Sequence, residues 1–196
     1  NVELVDTDGK GLEEISENGI VFNGKEYEVD CIIFATGFEV GTEYSRRAGY
    51  QIHGVDGKTV TQKWQNGLAT FHGMHSRGFP NAFFFGPAQS GFTATYTYSL
   101  DEQSIHLAYI LEKIIDKGAT RVEASQEAEE QWIQTIIEKA RLTADFQENC
   151  TPGYYNNEGK INQTPQNNTY GGGPIEFFSL MKKWRSKDNL EGLEIN

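Results

Sequence analysis

Polar and apolar positions change period several times along the chain, and each change predicts an element. Ile20-Val21-Phe22, then Asn23-Gly24, then Glu26-Tyr27-Glu28-Val29 predicts a β-hairpin, because Asn-Gly readily takes the positive φ angles of a type I′ turn. Cys31-Ile32-Ile33-Phe34 is continuously apolar, as expected of a parallel-sheet strand covered on both faces, with Cys31 as inert packing. It runs into Ala35-Thr36-Gly37, small residues that let a ligand or another backbone approach the strand's carboxyl end. Asp56-Gly57 marks a second turn, and Thr61 to Trp64 reads as one helical turn. Ala82-Phe83-Phe84-Phe85, bounded by Pro80-Asn81 and Gly86-Pro87, predicts a short aromatic strand.

The second half reads as helices around one long irregular segment. Ser99 with Glu102 has the spacing of a capping box, and Leu100, Leu107, Leu111 and Ile114 form an apolar stripe that stops at Lys117-Gly118. A second helix is predicted from Ser125 to about Arg141. It has acidic residues in its first turn, Lys139 and Arg141 in its last, and a buried face of Trp132, Ile133, Ile136, Ile137 and Ala140. Residues 143–174 are rich in Asn, Gly, Tyr and Gln, and a loop of that length points to a functional segment. Gly171-Gly172-Gly173-Pro174 predicts a tight turn with Pro at the first helical position, rather than a phosphate cradle. A last helix follows from Ile175 to Arg185, with Phe177, Phe178, Leu180, Met181 and Trp184 on its inner face.

Composition narrows the classes. The chain has 196 residues, 37% hydrophobic and 12% aromatic, enough for a real core and too apolar for disorder. Its net charge of −11 argues against a nucleic-acid or anionic-membrane surface, which needs clustered Lys and Arg. The longest apolar run, Cys31 to Phe38, is strand-sized, and no basic-then-apolar signal peptide opens the chain. Cys31 and Cys150 are far apart and form no CxxC pair, so a reducing, cytoplasmic setting is expected. Asn1 stands where a Met would open a natural chain, and an apolar stretch follows at once. That predicts a piece of a longer protein.

The chemistry concentrates at one constellation. A strand ending in small residues and a second ending in Gly86-Pro87 are followed by the hydroxyl-rich Ser90-Gly91-Phe92-Thr93-Ala94-Thr95 and a helix. Backbone N–H groups and the positive helix end near Tyr96 to Ser99 would face whatever lies above the sheet edge. A flavin ring is one such occupant, because its pyrimidine side gains negative charge on reduction; the plainer reading is a well-capped helix after a strand. His72 and His75 have ligand-like spacing, but no carboxylate or Cys joins them, so they read as a surface or core pair and no metal is expected. Cys150 lacks a flanking His or second Cys. Asn149-Cys150-Thr151, Asn162-Gln163-Thr164 and Asn167-Asn168-Thr169 are formal sequons that read as chance in an Asn-rich loop.

Tyr27-Glu28-Val29-Asp30-Cys31-Ile32-Ile33-Phe34-Ala35-Thr36-Gly37-Phe38 resembles the ATG segment of flavoproteins with two dinucleotide-binding domains. Gly78-Phe79-Pro80-Asn81, with the Phe83 to Pro87 strand after it, is similar to class B flavin monooxygenases. Cys150-Thr151-Pro152-Gly153-Tyr154-Tyr155-Asn156-Asn157-Glu158-Gly159-Lys160, followed by Tyr170-Gly171-Gly172-Gly173, resembles one branch of the Baeyer–Villiger monooxygenases.

The resemblance implies an α/β fold, the C-terminal part of a glutathione-reductase-like flavoprotein with an incomplete FAD/NAD(P) domain. It divides the chain into 1–37 (end of the NADP-binding domain), 38–118 (part of the FAD-binding domain) and 119–196 (helices and a long active-site loop). It implies an enzyme that uses FAD, NADPH and O₂ to insert oxygen beside a ketone carbonyl, giving an ester or lactone. Ala35, Thr36, Gly37, Gly86, Pro87, Thr95, Tyr96, Thr151 and Lys160 would contact the cofactors, the last two from a loop that closes on NADP and substrate. Gly91, Phe92, Thr93 and Tyr154 would line the ketone site, and Phe92, Tyr154 and Tyr155 fit a bulky apolar substrate. The family's Gly-rich fingerprints, His-containing signature and catalytic arginine fall before Asn1 in this resemblance, so no catalytic residue lies in the chain and its partner is the upstream part of the same enzyme. A Trp that many relatives carry near Thr151 is absent. Two other readings stand beside it: another FAD-dependent pyridine-nucleotide oxidoreductase, which shares the ATG segment, and a non-enzymatic α/β binding module.

Overall fold

The structure, a computed structural model, describes residues 1–35, 44–140 and 164–196. The chain divides into two compact units: Asn1–Thr42 with Thr143–Ile161, and Glu43–Leu142 with Asn162–Asn196.

In the first unit, β1 (Glu14–Ile15), β2 (Gly19–Phe22) and β3 (Lys25–Glu28) form an antiparallel sheet in that order. Phe22 pairs with Lys25, so Asn23-Gly24 is a two-residue turn, and its φ angles of 52° and 70° are those of the expected hairpin. The Glu13 carboxylate accepts the Asn23 and Gly24 N–H groups at 2.9 and 3.3 Å. The expectation for Cys31-Ile32-Ile33-Phe34 is corrected. These residues form no strand, Cys31 is exposed, and Ile33 and Phe34 are 84% and 69% exposed. A strand covered on both faces needs neighbouring strands to take up its backbone groups, and none of the described strands pairs with it.

The second unit is mainly helical: α1 (Tyr44–Ala48), α2 (Val60–Lys63), α3 (Tyr96–Asp116), α4 (Gln126–Lys139) and α5 (Pro174–Ser186). β4 (Val122–Ala124) pairs antiparallel with β5 (Leu193–Ile195). Thr59 and Gln62 close a full capping box on α2. Ser125 caps α4 by accepting the Ala128 N–H, with Glu127 and Glu129 in the first turn and Lys139 in the last, as the sequence predicts; Arg141, expected beside Lys139, lies outside the described residues. Its buried face is narrower than expected: Trp132 and Ile136 are buried, while Ile137 is exposed. Pro174 opens α5, which buries Phe177, Phe178, Met181 and Trp184.

One apolar cluster joins Phe71, Ile110 and Ile114, Trp132 and Ile136, Tyr170, and Phe177 with Trp184. A smaller one holds Val60, Phe79 and Phe84, with Tyr44, Ile52 and Trp64 against it. Ala82 to Phe85 is not a strand. Asn81 before it bonds the 120–122 segment through backbone and side chain, its N–H to the Val122 carbonyl at 2.9 Å and its Oδ1 accepting the Val122 N–H at 3.0 Å, and within it Phe84 N–H reaches the Met74 carbonyl at 2.9 Å. Aromatic burial, with Phe84 7% exposed, rather than a ladder holds the segment.

Candidate functional site

The site begins at Gly86, where the chain leaves the aromatic segment. Gly86 N–H donates to Gln103 Oε1 at 3.3 Å, and its carbonyl accepts from Gln103 Nε2 at 2.8 Å and Ser90 Oγ at 2.6 Å. Gln103 Nε2 also reaches Ser90 Oγ at 3.0 Å. One buried side chain of α3 thus ties both ends of the Gly86–Ser90 turn, and the Pro87 carbonyl accepts the Ser90 N–H inside it. Gly91 lies flat against Phe177: a Cβ there would stand 2.8 Å from the ring, so only glycine fits.

Beyond Gly91 the chain comes to the surface. Phe92 is 45% and Tyr96 39% exposed, with ring centroids 5.8 Å apart. Thr93 N–H donates to Ser99 Oγ at 3.3 Å, and its hydroxyl to the Thr95 carbonyl at 2.7 Å. Ser99 therefore serves the preceding loop instead of capping the helix. α3 starts a turn earlier than its sequence predicts, at Tyr96, with Thr95 in the capping position and no side-chain cap bond. The amino end of this helix of 21 residues lends partial positive charge where Phe92 and Tyr96 stand.

Of the residues expected at a site, the structure gathers Gly86, Pro87, Gly91, Phe92, Thr93, Thr95 and Tyr96 into this one loop and helix start. Ala35 is exposed in the first unit. Thr36, Gly37, Thr151, Tyr154 and Lys160 lie outside the described residues, as do Tyr155 and Cys150. Sequence reading missed Gln89, Gln103, Gln166 and Asn168, which hold the loop. Glutamines beside a Gly-Pro step carry no local signature, and their partners are distant in sequence.

Of the two readings left open for His72 and His75, surface or core, the structure places both in the core. Both are buried, with His72 stacked 3.7 Å from Phe71 and His75 5.4 Å from Phe83. His106 joins them on α3, its ring 5.4 Å from His72 and 5.0 Å from Trp184. Burial holds His75 down to about 4 and His106 to about 3, and His72 well below the usual imidazole range. Among the described residues no group of three or more His, Cys, Asp or Glu is arranged to hold a metal ion, and no helix is long and apolar enough to cross a membrane.

No protein-family model matches the chain. Curated relatives match it from end to end. Neopentalenolactone D synthase of Streptomyces avermitilis is 46% identical over 198 aligned positions, covering 100% of this chain and 33% of that protein. The Baeyer–Villiger monooxygenase ATR8 of Stachybotrys chlorohalonatus is 40% identical, with 100% and 32% covered. The solved structure of a polycyclic ketone monooxygenase from the thermophilic fungus Thermothelomyces thermophila superimposes with a TM-score of 0.88 at 34% identity, covering 100% of this chain and 32% of that one. OTEMO, solved with FAD and NADP, gives 0.68 at 25% identity, with 100% and 35% covered. The chain spans about a third of the length of the curated relatives it matches.

Proposed function

We infer that this chain, homologous from end to end to Baeyer–Villiger-type flavin monooxygenases, works as part of an FAD- and NADPH-dependent enzyme that inserts one atom of O₂ beside a ketone carbonyl to give an ester or lactone. The observation that carries the reading is the start of α3: the amino end of a long helix, where Thr95 makes no side-chain cap bond, set on a fixed turn and flanked by exposed Phe92 and Tyr96. This end suits a flavin. A ring edge that gains negative charge is stabilised by the helix terminus, and flat aromatic side chains cover an apolar ring face.

When bound, the flavin, reduced by NADPH, supplies the electrons that activate O₂. The chain's own contribution is positional. Gly86, Pro87, Thr95 and Tyr96 hold the pyrimidine side, and Gly91, Phe92 and Thr93 wall the ketone pocket and keep water from it. On the resemblance, Ala35, Thr36 and Gly37 join the cofactor contacts, Thr151 and Lys160 hold NADPH, and Tyr154 touches substrate. The exposed Phe92 and Phe85, together with likeness to a protein described as a polycyclic ketone monooxygenase, support a bulky polycyclic ketone. The remaining part of the same enzyme is its partner, and the cytoplasm, where NADPH is supplied, is its setting.

The test is ketone-dependent NADPH oxidation with matched O₂ uptake by the native full-length protein, with the product identified by mass spectrometry. A product heavier than the ketone by one oxygen atom is expected. NADPH oxidation indifferent to every polycyclic ketone, or no bound FAD, sinks the proposal.

A further inference from the structure

Gln89 makes five hydrogen bonds, and all its partners lie far away in sequence. Side-chain Nε2 donates to the carbonyls of Leu68 and Gln166, each at 2.8 Å, and Oε1 accepts the Thr70 hydroxyl. The backbone N–H donates to the Asn168 carbonyl at 2.9 Å, and the backbone carbonyl accepts Trp132 Nε1 at 3.1 Å. The residue is 0% exposed, and its φ of 54° lies in the left-handed region that side chains disfavour.

We propose that Gln89 is a positioning residue for the flavin end of α3: it braces the Gly86–Thr95 loop against residues 164–170, so that Phe92, Thr95 and Tyr96 are held in one arrangement. This rests on the flavin reading above. The brace continues past Gln89 itself, because the Ser90 carbonyl accepts the Tyr170 N–H at 3.0 Å and Gly91 is pressed on Phe177. Gln166 Nε2 reaches the same Leu68 carbonyl at 2.9 Å, filling its second lone pair.

With Gln103 holding the opposite side of the turn, residues 86–91 have every anchor fixed, while Phe92 and Tyr96 beyond them stay exposed. A binding edge displayed on a fixed base loses little conformational freedom when its ligand arrives. Simple core filling would need an apolar side chain here. A buried amide instead imposes direction, because each of its groups must meet its partner.

The experiment compares Gln89→Met, which keeps the length and loses the three side-chain bonds, with Ile136→Val in the native full-length protein. Ile136 is a fully buried core residue outside the loop, and its truncation lowers the melting temperature without removing any hydrogen bond of the brace. Backbone hydrogen exchange, FAD affinity and the shape of the flavin absorption bands are measured well below both melting temperatures. Gln89→Met is expected to speed exchange in 86–91 and 166–170 by about tenfold or more, weaken FAD binding by about tenfold, and alter the flavin bands. Ile136→Val should leave affinity within about twofold and the bands unchanged.

Even acceleration across the chain, or unchanged affinity and bands in Gln89→Met, overturns the positioning role. Should Gln89→Met not fold, Thr70→Val, which takes away the hydroxyl that Gln89 Oε1 accepts at nearly constant side-chain size, must give the same pattern at smaller size; an effect on melting temperature alone overturns the proposal. A wild-type protein that binds no FAD overturns the flavin reading and the positioning role with it. Exchange then reports separately whether the brace exists.

Discussion

The two halves of α3 bury different chemistry. The first half turns Ser99, Glu102, Gln103 and His106 inward, and the second turns Ile110 and Ile114. In the first half the buried side chains are polar and most make directed bonds, although among the described residues Glu102 Oε2 and His106 Nε2 have no hydrogen-bond partner. Ser99 accepts from Thr93, Gln103 clamps Gly86 and Ser90, and Glu102 accepts the Tyr98 hydroxyl at 3.1 Å with Lys182 3.6 Å away. The second half contributes area without direction. The contrast shows how one helix does two jobs: apolar burial holds elements together whatever their fine orientation, while buried hydrogen bonds are lost unless the geometry is kept. The half that faces the candidate site carries the directional chemistry.

The contrast is sharpened most by acid. His106 sits in the first half, against His72 and near His75, with Arg185 Nη1 3.3 Å from its Nδ1. All three rings are kept neutral in the folded chain, whereas in the unfolded chain they take protons below about pH 6.5. The unfolded state therefore binds more protons as pH falls, and stability, full above about 6.5, declines toward the folded values of about 4 for His75 and about 3 for His106. Each histidine adds a slope of up to about 1.4 kcal/mol per pH unit. Urea unfolding followed by tryptophan fluorescence from pH 7.5 to 5 should show the decline, and His106→Asn should flatten it by close to one histidine's share. An unchanged slope in that variant would remove His106 from the account.

Next in size is a pair of substitutions, one from each half. Ile110→Ala empties a fully buried site in the main cluster and should cost about 3 kcal/mol. Gln103→Leu leaves the Gly86 N–H and carbonyl short of partners and should cost about 2 kcal/mol. The order reverses when flavin affinity is read in the native protein: Gln103→Leu weakens it and Ile110→Ala does not. Equal effects on affinity would erase the division of labour along α3.

That division also explains which features the sequence discloses. Asn23-Gly24, Ser125 before α4 and Pro174 at the start of α5 act on residues within three or four positions, so their chemistry can be read locally and the structure keeps it. Ser99 fails as a cap because a partner outside its own helical turn wins: its hydroxyl takes the N–H of Thr93, six positions back in the loop, and the helix extends back to Tyr96. The stripe read through Leu111 fails likewise, since that residue is 40% exposed while His106 and Ile110 face the core. Cys31 to Phe34 has the composition of a covered strand, but a covered strand is defined by its neighbours. The turn that carries Gly86 to Tyr96 was legible because glycine, proline and hydroxyl residues mark a tight turn into a helix. The glutamines that fix the turn were not, because Gln89 and Gln166 meet across 77 positions.

The smallest expected effect lies on the outer face of α3. Ile115 is 74% and Ile105 46% exposed, so Ile115→Lys removes little buried area and adds a charge that favours the carboxyl end of a helix. Its effect on the unfolding free energy of the 196-residue chain should stay within about 0.5 kcal/mol. The same substitution in the native full-length protein makes the informative comparison. An equally small effect there leaves this face to solvent. A loss above about 1 kcal/mol confined to the longer protein means that Ile115 is covered by residues outside this chain, and the second half of α3 then acts through packing on both of its faces.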